Sequence, residues 1–526
     1  MRESEIASMQ LNPLPVLATV SARFLAPSGL SLTDVFGQMH VDDFHANPRQ
    51  VLKDSYYDTA NLDLIRFGAI LRFRASTHQN FWNLQLFTRR GNRYKKRYDL
   101  EYGGLPTEIP EQLVGLLYAF HRSQLLLQIG QIRVIEQKYE LRDAAGIVYQ
   151  EVIDMDITSS GALWEARRFH EFATRSQNDL EKARRPSHAF ASAANDLGAR
   201  LIGFAPKIIR ALGQSLPPAF GVLEIGVDSS SSVYLIFQRA IALSALRLLR
   251  FDPQIRLSAD PEMVHEFRVG VRRLRSDLRS FSSVIQSAEA SALRSELSWL
   301  GGVVGKVRDC DVISSHVVAL SRNSVTEDES SFVILKSSLD DLCRTSRAAL
   351  LEVLNSERYG NLIGVIVNIA SGVSSIERTS DTRQDASLTR SSKRTIANIV
   401  RRRWRKYAKA AGRIDLDSSD LELHRVRILA KRCRYAVDSA LPLFGDPARK
   451  FSRALAEVQD LLGRYHDCVV QKTWLREFAE QLPEARVVIG ELILLMRQEQ
   501  NQLRSEWPRL LDKTSSPKLR RWMENS

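Results

Sequence analysis

Two segments of this chain repeat one another at their charged positions, and that repeat restricts the fold more than any other feature. In DPEMVHEFRVGVRRLRSDLRSF, residues 260–281, the apolar residues Val264, Phe267, Val271, Leu274, Leu278 and Phe281 recur every three or four positions. That is the spacing of a helix with one apolar face. Asp260 followed by Pro261 supplies an N-cap and a first-turn residue of fixed φ. About 100° round the same helix runs a second stripe, His265, Arg268, Arg272, Arg275 and Arg279. Residues 423–437, LHRVRILAKRCRYAV, carry both stripes again: His424, Arg427, Lys431 and Arg434 match His265, Arg268, Arg272 and Arg275 at an offset of 159, and Arg432 matches Arg273. Leu423, Val426, Ala430, Cys433 and Val437 are its apolar side. Downstream, Gly305, Lys306, Asp309 and Cys310 match Gly463, Arg464, Asp467 and Cys468 at an offset of 158. The duplicated unit is therefore longer than one helix.

Like charges one turn apart on a helix cost a few tenths of a kcal/mol per pair, and no Asp or Glu lies on the basic stripes. Arg273 has a partner by spacing, Asp277. Two such faces about a pseudo-twofold axis point to negative charge supplied from outside, by a polyanion.

The motifs HEFRVGVRRLR and HRVRILAKRCRY, each followed by a glycine-bearing segment ending in Arg/His-Asp-Cys, resemble the two halves of a CHAD domain. The resemblance spans 233–515, with halves at about 233–370 and 393–515. It implies two four-helix bundles facing each other, with basic residues lining a central groove that binds inorganic polyphosphate. The binding set expected on this basis is His265, Arg268, Arg272, Arg273, Arg275, Arg279, Lys306, Arg308, His424, Arg427, Lys431, Arg432, Arg434 and Arg464. Arg394 and Arg401 join it from the amphipathic segment 392–413, which has Ile396, Val400, Trp404 and Tyr407 on its other face. Spacing alone does not separate polyphosphate from nucleic acid. Against nucleic acid, the stripes lack interleaved aromatics for stacking bases and no reading-helix motif is present.

The net charge of +13 and pI near 9.6 suit an acidic partner, and residues 390–434 concentrate fifteen Lys and Arg against four acids. Four cysteines without C-x-x-C spacing suggest reduced core thiols. The N-terminal residues lack the apolar core of a secretory signal and no apolar run reaches membrane-spanning length, so the expected location is cytoplasmic, on polyphosphate granules if the ligand is stored there. His265 and His424 lack acidic or thiol neighbours at ligand spacing, so neither a metal nor another cofactor is expected. Asp309 and Asp467 are expected to orient Lys306, Arg308, Arg464 and His466. Gly301, Gly305 and Gly463 are expected to let helices approach closely.

Residues 14–215 have the period of strands, at 17–25, 69–74, 81–87, 93–102, 132–141 and 148–156, with one charged face. The stretch YYDTANLDLIRFGAILRFR, 56–74, with RYDLE at 97–101, is similar to the CYTH family of triphosphate tunnel enzymes. The likeness implies an antiparallel β-barrel in which Arg72, Arg74 and Arg97 hold phosphate. The family's metal-holding acids do not match: Thr19, Ser21 and Arg23 stand at the E-x-E-x-K signature, Phe87 replaces a lysine, and Glu171 is alone on the last strand. Mg²⁺ needs hard anionic oxygens and phosphoryl transfer needs the charge it neutralises, so this domain is read as inactive, its arginines otherwise paired with Asp58, Asp99 and Glu101. The alternative is a metal-dependent hydrolase of triphosphate or polyphosphate. The fold class is α+β with two domains: 14–215, a linker at 216–232, and the all-α domain. Polar gaps fall at 321–331 and 371–392.

Overall fold

The computed structural model describes the chain except residues 1–19, 42, 77–78, 91–92, 143–145, 177–183, 204, 214–217, 229, 283–284, 286–287, 323–328, 374–388 and 525–526. Thr19, the Ser21 side chain, parts of the expected linker and most of both polar gaps lie outside the described residues. The chain divides into two compact units, Met1–Ala219 and Phe220–Ser526. No described helix is long and apolar enough to cross a membrane.

The first unit is built on β1 (Val20–Ala26), β2 (Phe44–Ala46), β3 (Gln50–Asp58), β4 (Ala69–Ala75), β5 (Asn80–Arg90), β6 (Arg93–Tyr102), β7 (Leu127–Arg142), β8 (Val148–Gly161), β9 (Trp164–Ser176) and β10 (Arg200–Ile202). The short helices α1 (Leu32–Gln38), α2 (Asp63–Phe67), α3 (Glu111–Leu116), α4 (Tyr118–His121), α5 (Arg184–Asp196) and α6 (Lys207–Leu212) accompany them. The strands pair antiparallel in the order β10-β1-β9-β8-β7-β3-β4-β5-β6, with β2 against β7. The sheet curls: Arg23 on β1 couples electrostatically to Arg72 on β4, five strands along. Among the described residues β6 and β10 do not pair, so the barrel is open along that seam. Alternation decides the faces. On β4, Leu71 and Phe73 are buried on one side while Arg72 and Arg74 lie on the other, beside Asp54 of β3.

The second unit is helical: α7 (Val233–Leu257), α8 (Pro261–Ser280), α9 (Ala288–Ser321), α10 (Glu329–Leu354) and α11 (Glu357–Ser371), then α12 (Thr389–Ala411), α13 (Asp420–Gln481), α14 (Arg486–Ser515) and α15 (Arg521–Glu524). α13 is two helices joined at Gly445, whose φ of 57° with ψ of −131° suits glycine alone. Its first part repeats α8 and its second part α9. The caps follow sequence: the Asp260 carboxylate accepts the Glu262 N–H, and Ser419 forms a capping box with Glu422. Val264, Phe267, Val271 and Leu274 on α8 are fully buried, as are Val426, Ala430, Cys433 and Val437 on α13. Burying each large apolar side chain stabilises by about 1.5–3 kcal/mol, against a few tenths for each like-charge pair beside it. Packing therefore sets where the basic stripes go. Ile313, Val317, Leu335 and Leu339 of the first half share a cluster with Leu475, Val488, Leu492 and Met496 of the second. Phe220 and Val222, inside the stretch expected as linker, are buried, and Arg239 on α7 donates to the Val222, Leu223 and Ile225 carbonyls.

Candidate anion-binding cleft

α8 packs against the first part of α13, and this contact turns the two basic stripes toward one cleft. Ser439 on α13 donates to the buried carboxylate of Asp277 on α8 (3.4 Å), and Tyr435, almost fully buried, lies under the guanidiniums of Arg273 and Arg434. Beside them a cavity of about 150 Å³ is lined by Arg272, Arg275, Arg279, Lys431, Arg432 and Tyr435. Among the described residues no carboxylate lies within 4.0 Å of any of those five cations. Two of the groups lining the cavity, the Arg272 Nε and the Tyr435 hydroxyl, are buried without a hydrogen-bond partner among the described residues. Unmade hydrogen bonds on buried groups cost about 1–3 kcal/mol each, so the pair marks a place where partners are to be supplied.

The electrostatics agree. Burial, then repulsion from Arg427, Arg272 and Arg268, pushes the Lys431 ammonium down to about 6. Burial, with Arg268, Arg427 and Arg434 adding repulsion, also lowers Arg272. Arg432 is lowered by burial and by Arg279 and Arg275. Positive charge from both repeats thus destabilises its own charged form.

The rim is neutralised. Arg268 donates to Asp309 at 2.9 Å and Arg427 lies 3.9 Å from Asp467, the same pair in each repeat. The aspartates hold these arginines, not Lys306, Arg308, Arg464 or His466 as expected. Arg273 pairs with Asp438 of α13 at 3.4 Å, not with Asp277, whose burial pushes it up to about 7. A Cβ on Gly305 would meet the Arg268 guanidinium at 3.7 Å, one on Gly463 that of Arg427 at 3.6 Å, and one on Gly301 both that of Arg275 and Val271 Cγ1 at 3.5 Å, all side chains of the facing helix at ordinary contact distance.

The other expected residues divide. His265 is half-buried and lowered by burial and by Arg308. His424 faces His466, which occupies the Arg308 position of the second repeat; their Nδ1 atoms are 3.1 Å apart and burial, then His424, pushes His466 down to about 4. Lys306 and Arg394 are exposed. Arg464 is paired with Glu499 at 2.9 Å, and Arg401 bonds Asn398 and the Met523 carbonyl, away from the cleft. The residue that α12 does bring is Arg403, which donates to the Arg279 carbonyl and is lowered by burial, Arg279 and Arg432. It lies off the stripe chosen for α12, so periodicity on that helix could not find it.

In the sheet unit Arg72 and Arg74 converge on Asp54, at 3.0 and 2.7 Å, and Asp54 is held far below the ordinary carboxylate range by those two arginines despite its burial. Asp54 was not among the expected partners. Asp58 instead accepts the Thr59, Leu64 and Ile65 N–H groups at the start of α2. Glu171 is fully buried between Arg210 (2.5 Å) and Arg23 (4.0 Å). Lys207, near Arg74 and Asp54, is pushed down to about 8 by burial. Arg97 is exposed at the register shift in β6.

A duplicated helical domain with a cleft lined by cations from both repeats is the class of protein these features define. Residues 239–476 match the family model of the CHAD domain, so the chain carries a CHAD domain over that span. An uncharacterised protein of Mycobacterium tuberculosis is 25% identical over 452 residues, 82% of each chain. Among solved structures, the CHAD domain of Ricinus communis is 24% identical, with 56% of this chain and 94% of that one covered and a TM-score of 0.47. HpAC1 of Hippeastrum, which has a dominant triphosphatase activity, is 15% identical over 38% of this chain and 97% of its own, with a TM-score of 0.24.

Proposed function

We propose that this protein binds inorganic polyphosphate in the cleft between α8 and α13 without acting on it chemically. One observation carries the reading: five cations from two repeats surround one cavity with no described carboxylate among them, while the acids of the region hold only the rim arginines. A chain of phosphates supplies closely spaced oxygens to such a set through charge-assisted hydrogen bonds. Duplex DNA and RNA carry phosphates too, but the nearest aromatic ring, Tyr435, is 2% exposed and offers no face for a base.

The sheet unit is read as inactive toward triphosphate. Asp54 and Glu171, buried acids on β3 and β9, are each occupied by two arginines, so neither is free to hold a divalent ion. The protein is proposed to act in the cytoplasm where polyphosphate is stored.

The test is a titration of the full chain with long-chain polyphosphate at physiological salt, with duplex DNA and RNA as competitors, because purely electrostatic nucleic-acid binding weakens steeply with salt. Reversing Arg272, Arg275, Lys431 and Arg434 to Glu is expected to remove binding, at least about a hundredfold, with the far-ultraviolet circular dichroism unchanged. Unaltered affinity in that folded variant would refute the cleft. Mg²⁺-dependent phosphate release from tripolyphosphate would refute the inactive sheet unit.

A further inference from the structure

Outside the set of residues that line the cavity, three further groups converge. His316 from α9 in the first half meets Cys468 of α13 and Glu499 of α14 in the second, and one donor atom of each lies within 4.8 Å of the others. The site sits at the edge of the apolar cluster shared by the halves, with Ile313 one turn before His316, Val317 next to it, and Met496 one turn from Glu499. Cys468 is buried, while His316 and Glu499 are about one-fifth exposed at their side chains, which leaves a path for an ion.

The hydrogen bonding orders these groups. The Gln471 side chain is 3% exposed and its carbonyl oxygen lies 2.5 Å from His316 Nδ1, so Nδ1 is the nitrogen that donates. Nε2 then faces Glu499 Oε2 at 2.9 Å. With Nδ1–H committed to the amide, the neutral imidazole turns its Nε2 lone pair toward the same point as Glu499 Oε2. An imidazole whose other N–H is held by a carbonyl is the arrangement of a metal-bound histidine, and Cys Sγ stands as a third donor.

We propose that His316 Nε2, Cys468 Sγ and Glu499 Oε2 form a zinc site that staples the two repeats together. Sulfur, imidazole and carboxylate donors suit Zn²⁺, with the fourth, outward position left to water. On binding, the Cys468 thiol gives up its proton to solvent and ligates as the thiolate. Arg464, on Glu499 Oε1 at 2.9 Å, leaves Oε2 free to ligate. The site has no symmetry mate: Cys310, the counterpart of Cys468, contacts Ser346 instead, and Trp474 stands where a second His316 would fall.

The test uses the full chain stripped with chelator, without polyphosphate, so that failure of the cleft reading does not affect it. One equivalent of Co²⁺ is expected to give a thiolate-to-metal charge-transfer band with tetrahedral d–d absorption, and Zn²⁺ is expected to displace it. Cys468→Ser is expected to abolish the band and Cys433→Ser to leave it. His316→Gln and Glu499→Gln are expected to weaken Zn²⁺ binding at least about a hundredfold, and Gln471→Ala by roughly 10–100-fold. Zn²⁺ is expected to raise the unfolding temperature of the parent chain and not that of His316→Gln. The absence of a thiolate band at one equivalent, or its survival in Cys468→Ser, would overturn the assignment.

Discussion

Lys431 is the residue through which polyanion binding couples most directly to pH. Burial and the guanidiniums of Arg427, Arg272 and Arg268 lower its ammonium to about 6. At pH 7.5 roughly one molecule in thirty then carries that proton. A bound chain of phosphates reverses the sign of the surrounding potential and restores the charged form, so binding at pH 7.5 takes up about one proton at this position. The sign follows: affinity falls as pH rises from about 6, by up to about tenfold per pH unit, because each unit of free-state deprotonation costs about 1.4 kcal/mol on binding. Calorimetric titration with polyphosphate in two buffers of different ionisation enthalpy measures the number of protons directly. Lys431→Arg retains the cation and removes the titration, so proton uptake is expected to drop by about one relative to the parent, and the pH dependence of affinity to flatten. Protons contributed by His265 or the ligand are common to both proteins and cancel in the difference. Equal uptake in the two proteins would show that Lys431 is already charged when the cleft is empty, and would refute the repulsion on which the reasoning stands.

The same repulsion makes Lys431→Met a stabilising change, by about 1–2 kcal/mol in chemical denaturation, together with loss of polyphosphate affinity. Because the lysine is lowered in the folded state, the gain is largest at low pH and fades as pH rises toward the ordinary lysine value of 10.5. Arg403→Ala is expected to weaken polyphosphate binding several-fold by removing a cation beside Arg279 and Arg432, whereas Arg401→Ala, bonded away from the cleft, leaves it unchanged in the same titration. Asp54→Asn in the sheet unit leaves Arg72 and Arg74 without their carboxylate and is expected to cost about 3–5 kcal/mol by urea denaturation. Since Asp54 is lowered from 3.8, its contribution is present above about pH 4 and is lost below it, so the difference between parent and variant is expected to shrink in acid.

What the sequence made legible was what repeats. Apolar periodicity placed α8 and the first part of α13, because the same residues that bury the stripe also define its phase. The 159-residue offset then showed that Arg272 and Lys431 are equivalent before any fold was known. Strands with alternating faces were legible for the same reason at 69–74 and 93–102, but β3 was not. It holds Lys53, Asp54 and Asp58 in a half-polar run, and its aspartates are inside because arginines from β4 and backbone donors of α2 meet them there. Partnerships between elements left no periodic trace. Arg273 and Asp438 are 165 positions apart, and His316 and Glu499 are 183 apart. Only packing brings them together.

The distribution of acids across the helical unit argues that the bare cations in the middle of the cleft are selected by the fold, not left over from it. Asp309 and Asp467 sit at equivalent positions and each takes the first arginine of its stripe, and Asp438 takes Arg273. The chain therefore has carboxylates available on the helices that form the cleft, and it uses them at the edge. One turn further in, Arg272 and Lys431 face each other's neighbours across the repeat axis without any, at a cost that the fully buried Val264, Phe267, Val271 and Leu274 beside them can carry. A surface that only needed to be soluble would gain stability by moving one acid inward by a single turn. Such an acid would compete with every phosphate entering the cleft, so an aspartate introduced one turn inward, as in Ser276→Asp, is expected to raise stability and lower polyphosphate affinity together. A rise in both would show that the cleft has no anionic ligand to protect.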